Sequence, residues 1–230
     1  MNPYKNIMEE AWEANMQLAG SGLVIHTFGN VSSLDAERGV FAIKPSGVPY
    51  SELKAEHMVI VDLEAKTVSG TLRPSSDTKT HAVLYQHFEG IAGICHTHSS
   101  YATAWAQAVK PIPAFGTTHA DHVYGPIPCT EIMTDEAIQG DYEKETAHQI
   151  LNAFEKLSPQ EVEMVLVACH GPFTWGKTAK KSVDNSEVLE ELAKMAFFTV
   201  QINPGIGPLK QSLLNKHYTR KHGKNAYYGQ

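Results

Sequence analysis

The sequence has few cysteines, no long apolar run and no excess of positive charge, and each shortage excludes a class of protein. An odd number of cysteines does not suit a disulfide framework, so Cys95, Cys129 and Cys169 are expected to be small buried residues in a reducing compartment. No stretch approaches the roughly 20 consecutive apolar residues of a membrane span, and residues 1–5 lack a signal-peptide core. The sequence therefore predicts a cytoplasmic protein.

Net charge and chain length indicate which partners and how many domains to expect. A formal net charge of −6 argues against a nucleic-acid binder, which needs a clustered excess of cations, and nothing indicates a membrane partner. Positive charge concentrates in segment 210–224, either as a solvated tail or as a contact for an anionic small molecule. The 230 residues, of which 42% are apolar, suffice for a substantial core, and no repeat or linker divides them. We expect one domain over residues 1–230.

Hydrophobic periodicity and breaker residues predict interleaved helices and strands. Helices are expected over residues 4–19, 78–88, 100–108, 142–156, 178–202 and 208–221, with another beginning near 134. Strands are expected over residues 23–25, 40–47, 58–62, 93–98 and 164–170, with a hairpin returning to 68 and a polar turn at 28–32. Of the α/β and α+β classes, we predict α/β: a single three-layer domain with a central mixed β-sheet flanked by helices.

Two of the predicted strands end at histidines. His96 and His98 are spaced i, i+2, and side chains at this spacing share one face of a strand. His170 ends a second strand-like stretch downstream. Three imidazoles at strand ends are typical of a catalytic zinc site with an open position, although a hydrogen-bonded loop residue is the plainer interpretation of each. Cys95 and Cys169 would face away from these imidazoles, so they are not predicted as ligands.

Three loops carry residues that suit an anion. Gly29–Asn30, Ser46–Gly47 and Ser75–Ser76 each place a hydroxyl or an amide beside backbone that a ligand can approach closely. Lys44 adds a positive charge. Each loop taken alone could equally be a turn or a helix cap. Together with a metal, the loops predict a phosphorylated sugar or a similar metabolite as ligand.

Three further residues have ordinary interpretations when they are considered alone. Asp77 is either the cap of the following helix or a fourth metal ligand. Asp121 is either a loop acid or a general base. Tyr228 lies so close to the end of the sequence that a frayed terminus is the default expectation.

Seven short motifs are spread over nearly the whole chain. They are Gly-Asn-Val-Ser at 29–32, Lys-Pro-Ser-Gly-Val at 44–48, Pro-Ser-Ser-Asp-Thr at 74–78, His-Thr-His-Ser at 96–99, Gly-Thr-Thr-His-Ala-Asp at 116–121, His-Gly-Pro at 170–172 and Lys-His-Gly-Lys-Asn-Ala-Tyr-Tyr-Gly-Gln at 221–230. Together they resemble the L-ribulose-5-phosphate 4-epimerases, a family of the class II aldolase/epimerase superfamily. The Ser-Ser-Asp triplet and the Tyr-Tyr-Gly-Gln ending carry most of the specificity.

The resemblance implies roles for individual residues. It implies a Zn²⁺ ion held by His96, His98, His170 and Asp77. It implies substrate and phosphate contacts from Gly29, Asn30, Lys44, Ser46, Gly47, Ser75 and Ser76. It implies that Asp121 and Tyr228 form the acid/base pair, with Thr117, Glu143 and His217 near the site.

The activity implied by the resemblance is that of an isomerase, which converts L-ribulose 5-phosphate to D-xylulose 5-phosphate in arabinose or ascorbate degradation. The hydrogen on C4 is not acidic, so retro-aldol cleavage, rotation of the aldehyde and re-addition must invert that carbon. The implied assembly is a homotetramer with sites at subunit interfaces.

Three alternatives remain beside this interpretation. A class II aldolase that releases its two fragments is the nearest. Such aldolases resemble this chain in the histidines, but they carry Glu where this sequence has Asp77, so the shorter acid favours the epimerase. A non-catalytic module resembling the adducin head would not need the complete set of histidines. A zinc hydrolase is disfavoured because the sequence lacks a His-Glu-x-x-His motif.

Overall fold

The computed structural model describes residues 2–224 and 226–228. The helices are α1 (Lys5–Gly20), α2 (Thr78–His87), α3 (Ser100–Gln107), α4 (Thr117–Ala120), α5 (Asp135–Gln139), α6 (Tyr142–Ala153), α7 (Ala179–Ile202) and α8 (Gln211–His222). The strands are β1 (Asn30–Asp35), β2 (Val40–Ile43), β3 (Val59–Asp62), β4 (Thr67–Ser69), β5 (Gly93–His96), β6 (Met164–Val167) and β7 (Gly171–Gly176). None of the helices within these ranges is both long enough and apolar enough to cross a bilayer.

The strands form a seven-stranded sheet in the order β4-β3-β2-β1-β5-β7-β6. Its neighbouring strands pair antiparallel throughout the described residues, and a parallel contact occurs there as a single bridge between Cys129 and Leu166. The predicted central sheet with flanking helices is confirmed, whereas the prediction that this sheet is mixed is wrong. Hydrophobic periodicity carries no information on strand direction, while the short β1–β2, β3–β4 and β6–β7 connections favour antiparallel neighbours.

Helices cover both faces of the sheet, which confirms the predicted three layers. Phe41 and Ile43 of β2 pack in the cluster that contains α2 and α6, whereas Val40 and Ala42 pack against α1. Val183 at the start of α7 joins the α1 side. Because side chains alternate along a strand, this division of β2 also fixes the faces of the neighbouring strands.

The predicted helices all occur, and their ends lie within about one turn of the predicted bounds. The strand predicted at 23–25 is wrong, since this segment is irregular. Two strands were not predicted: β1, where the sequence indicated a polar turn, and β7. The interior strand β1 is largely polar, and its Ser33 donates to Glu10 of α1 at 3.0 Å. The strand β7 contains glycine and proline, which ordinarily interrupt strands.

The cysteines differ in their surroundings. Cys95 is buried on the α1 face, as predicted, and therefore lies opposite the candidate metal residues. Cys169 is exposed in the turn between β6 and β7, with a φ of 60°, so the expectation of burial is wrong there. Cys129 is half-buried.

Candidate functional site

The three predicted histidines come together at one end of the sheet. His96 is the last residue of β5, His98 lies two residues beyond it, and His170 lies in the tight turn between β6 and β7. One potential ligand atom from each lies within 4.8 Å of the others. His96 is buried, His170 half-buried and His98 exposed, so the cluster opens toward solvent on one side. The predicted grouping is observed, although His98 lies past the strand end.

The orientation of His96 is fixed by the neighbouring strand. Its Nδ1 lies 2.9 Å from the carbonyl oxygen of Pro172, and its ring stacks on Phe173 at 4.2 Å between centroids. Because a carbonyl oxygen only accepts, Nδ1 carries the proton and Nε2 presents its lone pair. That Nε2 lies 3.0 Å from Nε2 of His98.

The imidazoles are in the form that binds a metal. Burial lowers the pKa of His96 and of His98 from the usual histidine value, and burial together with the nearby His96 lowers that of His170 to about 4. All three rings are therefore neutral at physiological pH, as metal ligation requires. Three neutral imidazoles within reach of one another fit a divalent ion such as zinc.

Asp77 precedes α2 but does not cap it through its side chain. Its carboxylate accepts a hydrogen bond of 2.6 Å from Nδ2 of Asn30, across the sheet end. The carboxylate is therefore held by Asn30 and not by the helix terminus. The group of mutually close ligand atoms contains the three histidines without Asp77, although Asp77 lines the same cavity.

Lys44 lies buried beside the histidines. No carboxylate among the described residues is within ion-pair distance of it. Its Nζ lies 4.8 Å from the centre of the Tyr50 ring and 3.4 Å from the carbonyl oxygen of Thr27. Burial lowers the pKa of Lys44 to about 8. A buried ammonium without an acidic partner is well suited to a bound anion.

Two of the predicted anion loops are joined by backbone contacts. Pro45 and Pro74 form an antiparallel bridge, and the amide of Ser75 donates to the carbonyl of Lys44 at 3.1 Å. The amide of Ser46 donates to the carbonyl of Arg73 at 2.9 Å. Gly47, with a φ of 73°, takes the left-handed conformation that glycine adopts readily. The two loops therefore form one rigid wall next to the start of α2.

These residues line a cavity of about 290 Å³. It is lined by all of the predicted substrate-binding and metal residues, which are Gly29, Asn30, Lys44, Ser46, Gly47, Ser75, Ser76, Asp77, His96, His98 and His170. Thr27, Phe28 and Pro45 complete the wall. An apolar cavity of about 250 Å³ lies elsewhere, beside α4 and α7, and carries none of these groups. The first cavity thus brings candidate metal donors and the candidate anion wall together in one lining.

The predicted acid/base pair lies outside this cavity. Asp121 follows α4, and its carboxylate pairs with Arg220 and His217 of α8. Tyr228 stacks over the same Arg220, with 4.0 Å between the guanidinium carbon and the ring centre. Within a single chain, the structure brings Asp121 and Tyr228 to each other but not to the cavity. The last two residues of the predicted Tyr-Tyr-Gly-Gln ending, and Asn225, lie outside the described residues.

Of the other residues predicted near the site, two lie with Asp121 and the third does not line the cavity. Thr117 begins α4 and His217 contacts Asp121. Glu143 lies at the start of α6, where its carbonyl accepts from Thr80 of α2 at 2.6 Å.

Sequence reasoning missed His81 and Tyr142. His81 is buried in α2, and its Nδ1 lies 2.7 Å from the hydroxyl of Ser32, which also contacts Tyr85. The ring of Tyr142 lies 6.2 Å from that of His170. The i, i+4 spacing of Asp77 and His81 on one helix was a signal that could have indicated His81.

Comparisons with known proteins agree with this geometry. Residues 9–197 match the family described as the Class II Aldolase and Adducin N-terminal domain. A protein of Salmonella paratyphi A named L-ribulose-5-phosphate 4-epimerase UlaF is 50% identical over 98% of this chain and 99% of its own. Among solved structures, an L-fuculose 1-phosphate aldolase is 26% identical, with a TM-score of 0.81 over 94% of this chain and 95% of its own.

A more distant solved structure agrees in fold alone. The L-fuculose 1-phosphate aldolase of Glaciozyma antarctica is 17% identical, with a TM-score of 0.75 over 94% of this chain and 81% of its own. The family match covers most of the chain, and the curated relative covers nearly all of it. The chain is therefore a member of the class II aldolase and adducin N-terminal domain family.

Proposed function

We propose that this protein is an L-ribulose-5-phosphate 4-epimerase, an isomerase that interconverts L-ribulose 5-phosphate and D-xylulose 5-phosphate. The observation that carries the proposal is a cavity lined both by three neutral imidazoles and by buried Lys44, which has no acidic partner among the described residues. Such a cavity suits a molecule with metal-binding oxygens at one end and a phosphate at the other. The 50% identical relative that bears this name supports the same choice.

The proposed metal is Zn²⁺, held by His96, His98 and His170 with Asp77 as a further ligand. A bound zinc ion would supply a Lewis acid that stabilises negative charge on oxygen. The protein would prepare its donors in advance, since the carbonyl of Pro172 orients His96 and the amide of Asn30 holds the carboxylate of Asp77.

The proposed reaction is a retro-aldol cleavage followed by re-addition. Breaking the C3–C4 bond releases glycolaldehyde phosphate and leaves the enediolate of dihydroxyacetone. Lys44 and the wall formed by residues 44–47 and 73–77 would hold the phosphate while the aldehyde turns to present its other face. Re-addition to that face inverts C4.

Two proton carriers on opposite faces of the aldehyde are needed for this sequence. In one direction, a carboxylate takes the proton of the 4-hydroxyl group and, after re-addition, a phenol donates one to the new alkoxide. We assign these roles to Asp121 and Tyr228. Because neither lines the cavity within a single described chain, we propose a homotetramer in which a neighbouring copy supplies them.

The test is incubation of the purified protein with L-ribulose 5-phosphate, with and without a chelator. We expect D-xylulose 5-phosphate from the metal-loaded protein and its loss on chelation, with recovery when zinc is returned. His96→Ala should lose bound zinc by elemental analysis while the fold persists. Full turnover by metal-free protein would contradict the proposed metal dependence.

A releasing aldolase is the second candidate, because a solved L-fuculose 1-phosphate aldolase shares the fold with a TM-score of 0.81. The two functions differ in their products. Trapping free dihydroxyacetone as the major product from L-ribulose 5-phosphate would favour the aldolase, whereas D-xylulose 5-phosphate as the major product favours the epimerase.

A further inference from the structure

Arg220 of α8 contacts both members of the proposed acid/base pair. Its Nε donates to Oδ1 of Asp121 at 3.0 Å, and its Nη2 donates to Oδ2 at 2.7 Å. The guanidinium carbon of the same side chain lies over the ring of Tyr228, 4.0 Å from the ring centre. One side chain thus donates two hydrogen bonds to the carboxylate and makes a cation–π contact with the phenol ring.

The backbone of Arg220 strengthens this arrangement. Its carbonyl accepts hydrogen bonds from the amides of Tyr227, at 2.9 Å, and of Tyr228, at 3.2 Å. The chain beyond α8 is therefore folded back onto Arg220. Both the ring and the main chain of Tyr228 are placed by this one residue.

We propose that Arg220 is a positioning residue that holds Asp121 and Tyr228 as one preassembled acid/base unit. This inference rests on the proposed function, because it concerns the same reaction. Two proton carriers that act on opposite faces of one aldehyde need a fixed separation, and a guanidinium that contacts both fixes it. A lysine ammonium has the charge but neither the planar fork nor the extended face.

Other charged groups surround Asp121. From α8, Nδ1 of His217 lies 3.1 Å from Oδ1, and Nε2 of His222 donates to the backbone carbonyl of Asp121 at 2.9 Å. His122 follows Asp121 in the sequence. Its Nε2 lies 3.5 Å from Nζ of Lys221 in α8, and Lys181 of α7 is a neighbouring charge of both residues. Burial acts to raise the pKa of Asp121, but the hydrogen bonds from Arg220 and His217 outweigh it and the pKa is lowered.

The test compares Arg220→Gln and Arg220→Lys with the unsubstituted protein across pH. We expect kcat to fall roughly 10- to 100-fold in both variants while KM changes less than about threefold, because binding groups in the cavity are untouched. In Arg220→Gln the acid limb of the kcat/KM profile should move to higher pH, since Asp121 loses a cationic hydrogen-bond donor. Arg220→Lys should shift this limb less, because it keeps the charge.

Arg38→Gln is the matched control. Arg38 also pairs with an aspartate, Asp35, at 2.6 Å, but at the surface and away from the site. This control should leave kcat and the pH profile unchanged. An unchanged kcat and an unchanged acid limb in Arg220→Gln would overturn the inference. A fall in kcat that is fully explained by lost zinc or by a lower Tm of the variant would also overturn it.

A measurement without substrate separates this inference from the proposed function. The Asp121 carboxyl group can be titrated by NMR in the full chain, with and without Arg220→Gln. A higher Asp121 pKa in the variant supports the inference, and an identical pKa overturns it, whichever substrate the protein acts on. Absence of epimerase activity in the unsubstituted protein would contradict the proposed function instead.

Discussion

Burial moves the pKa of Lys44 close to physiological pH. The side chain is enclosed by Thr27, Pro45 and Tyr50 and has no acidic partner among the described residues. Burial disfavours the charged ammonium and lowers its pKa to about 8. Lys44 is therefore charged below that pH and loses its charge as the pH rises through it.

This titration predicts pH-dependent anion binding. We expect the affinity for an inert phosphate monoester to fall above pH 8, by up to about tenfold per pH unit, because the protonated lysine becomes rare. Calorimetric titrations between pH 7 and 9.5 would measure this. Lys44→Arg should remove the pH dependence, since an arginine stays charged throughout, and Lys44→Met should bind weakly at every pH. A constant affinity in the unsubstituted protein would show that Lys44 does not contact the phosphate.

At the scale of residues, the sequence predicted which side chains line the cavity better than it predicted the contacts that hold them. The spacing of His96 and His98 and the strand-end position of His170 indicated the histidines, and the glycines and small polar residues of the three loops indicated the rest of the lining. Asp77 had two interpretations, and the structure argues against the side-chain cap because the carboxylate contacts Asn30 instead of α2. Its role as a metal ligand stays a prediction. His81 was missed because its partner Ser32 lies in another element, so that only its i, i+4 spacing from Asp77 could have indicated it.

At the scale of elements, the loop before β1 must pass very close to the end of β5. Gly29 has a φ of 76°, and a Cβ atom there would lie 3.0 Å from the carbonyl oxygen of His96 and 2.7 Å from Cγ1 of Val24. Both the conformation and the space therefore require glycine. This contact joins a loop proposed to bind the anion to the strand that ends at His96, a candidate metal ligand.

Gly29→Ala is therefore expected to be destabilising. A left-handed alanine and the displaced neighbours should cost about 1–3 kcal/mol, which lowers Tm by several degrees in a chain of this size. Calorimetry would measure the shift, and the same variant should bind zinc more weakly because the carbonyl of His96 is pushed aside. Gly20→Ala is the control, because a Cβ at the end of α1 meets no atom within 4 Å. Equal Tm values for the two variants would contradict the expected strain.

The strand β1 was not predicted because its polar side chains are paired by residues far away in the sequence. Strand β1 lies in the interior of the sheet, yet the side chains of its Asn30, Ser32 and Ser33 form hydrogen bonds to Asp77, His81 and Glu10, each distant in sequence. Local periodicity cannot reveal partners supplied by tertiary contacts. Long helices such as α7 were predicted accurately because their apolar pattern extends over many turns.

At the scale of the whole molecule, the cavity and the acid/base unit lie in separate places of one chain. A site that needs both would form between copies, with the cavity of one copy and the Asp121–Arg220–Tyr228 cluster of another. The homotetramer, the cytoplasmic location and the single domain over residues 1–230 stay predictions. Mixed assemblies provide a test of this division.

Mixing two inactive variants should restore activity when the defects lie in different halves of the site. Co-assembled His96→Ala and Asp121→Asn subunits should regain about a quarter of the unsubstituted activity, because random pairing joins an intact cavity to an intact acid/base unit in that share of interfaces. The assay is epimerase activity after refolding the two proteins together.

Asp121→Asn mixed with Tyr228→Phe is the informative comparison. Because Arg220 binds both residues in one chain, each unit would carry one defect. We therefore expect no more activity than the two parents have separately. A gain in this second mixture would show that the two residues act from different copies.

The pairing of β5 with β7 also has a consequence for the order of folding. His96 lies opposite Phe173 in this pairing, so His170, more than seventy positions along the chain, reaches His96 only after the two strands have joined. Contacts at such sequence separation form late, because a long loop must close first. Metal affinity should consequently develop at the end of folding. The time course of zinc uptake would then report when the pairing of β5 with β7 is complete.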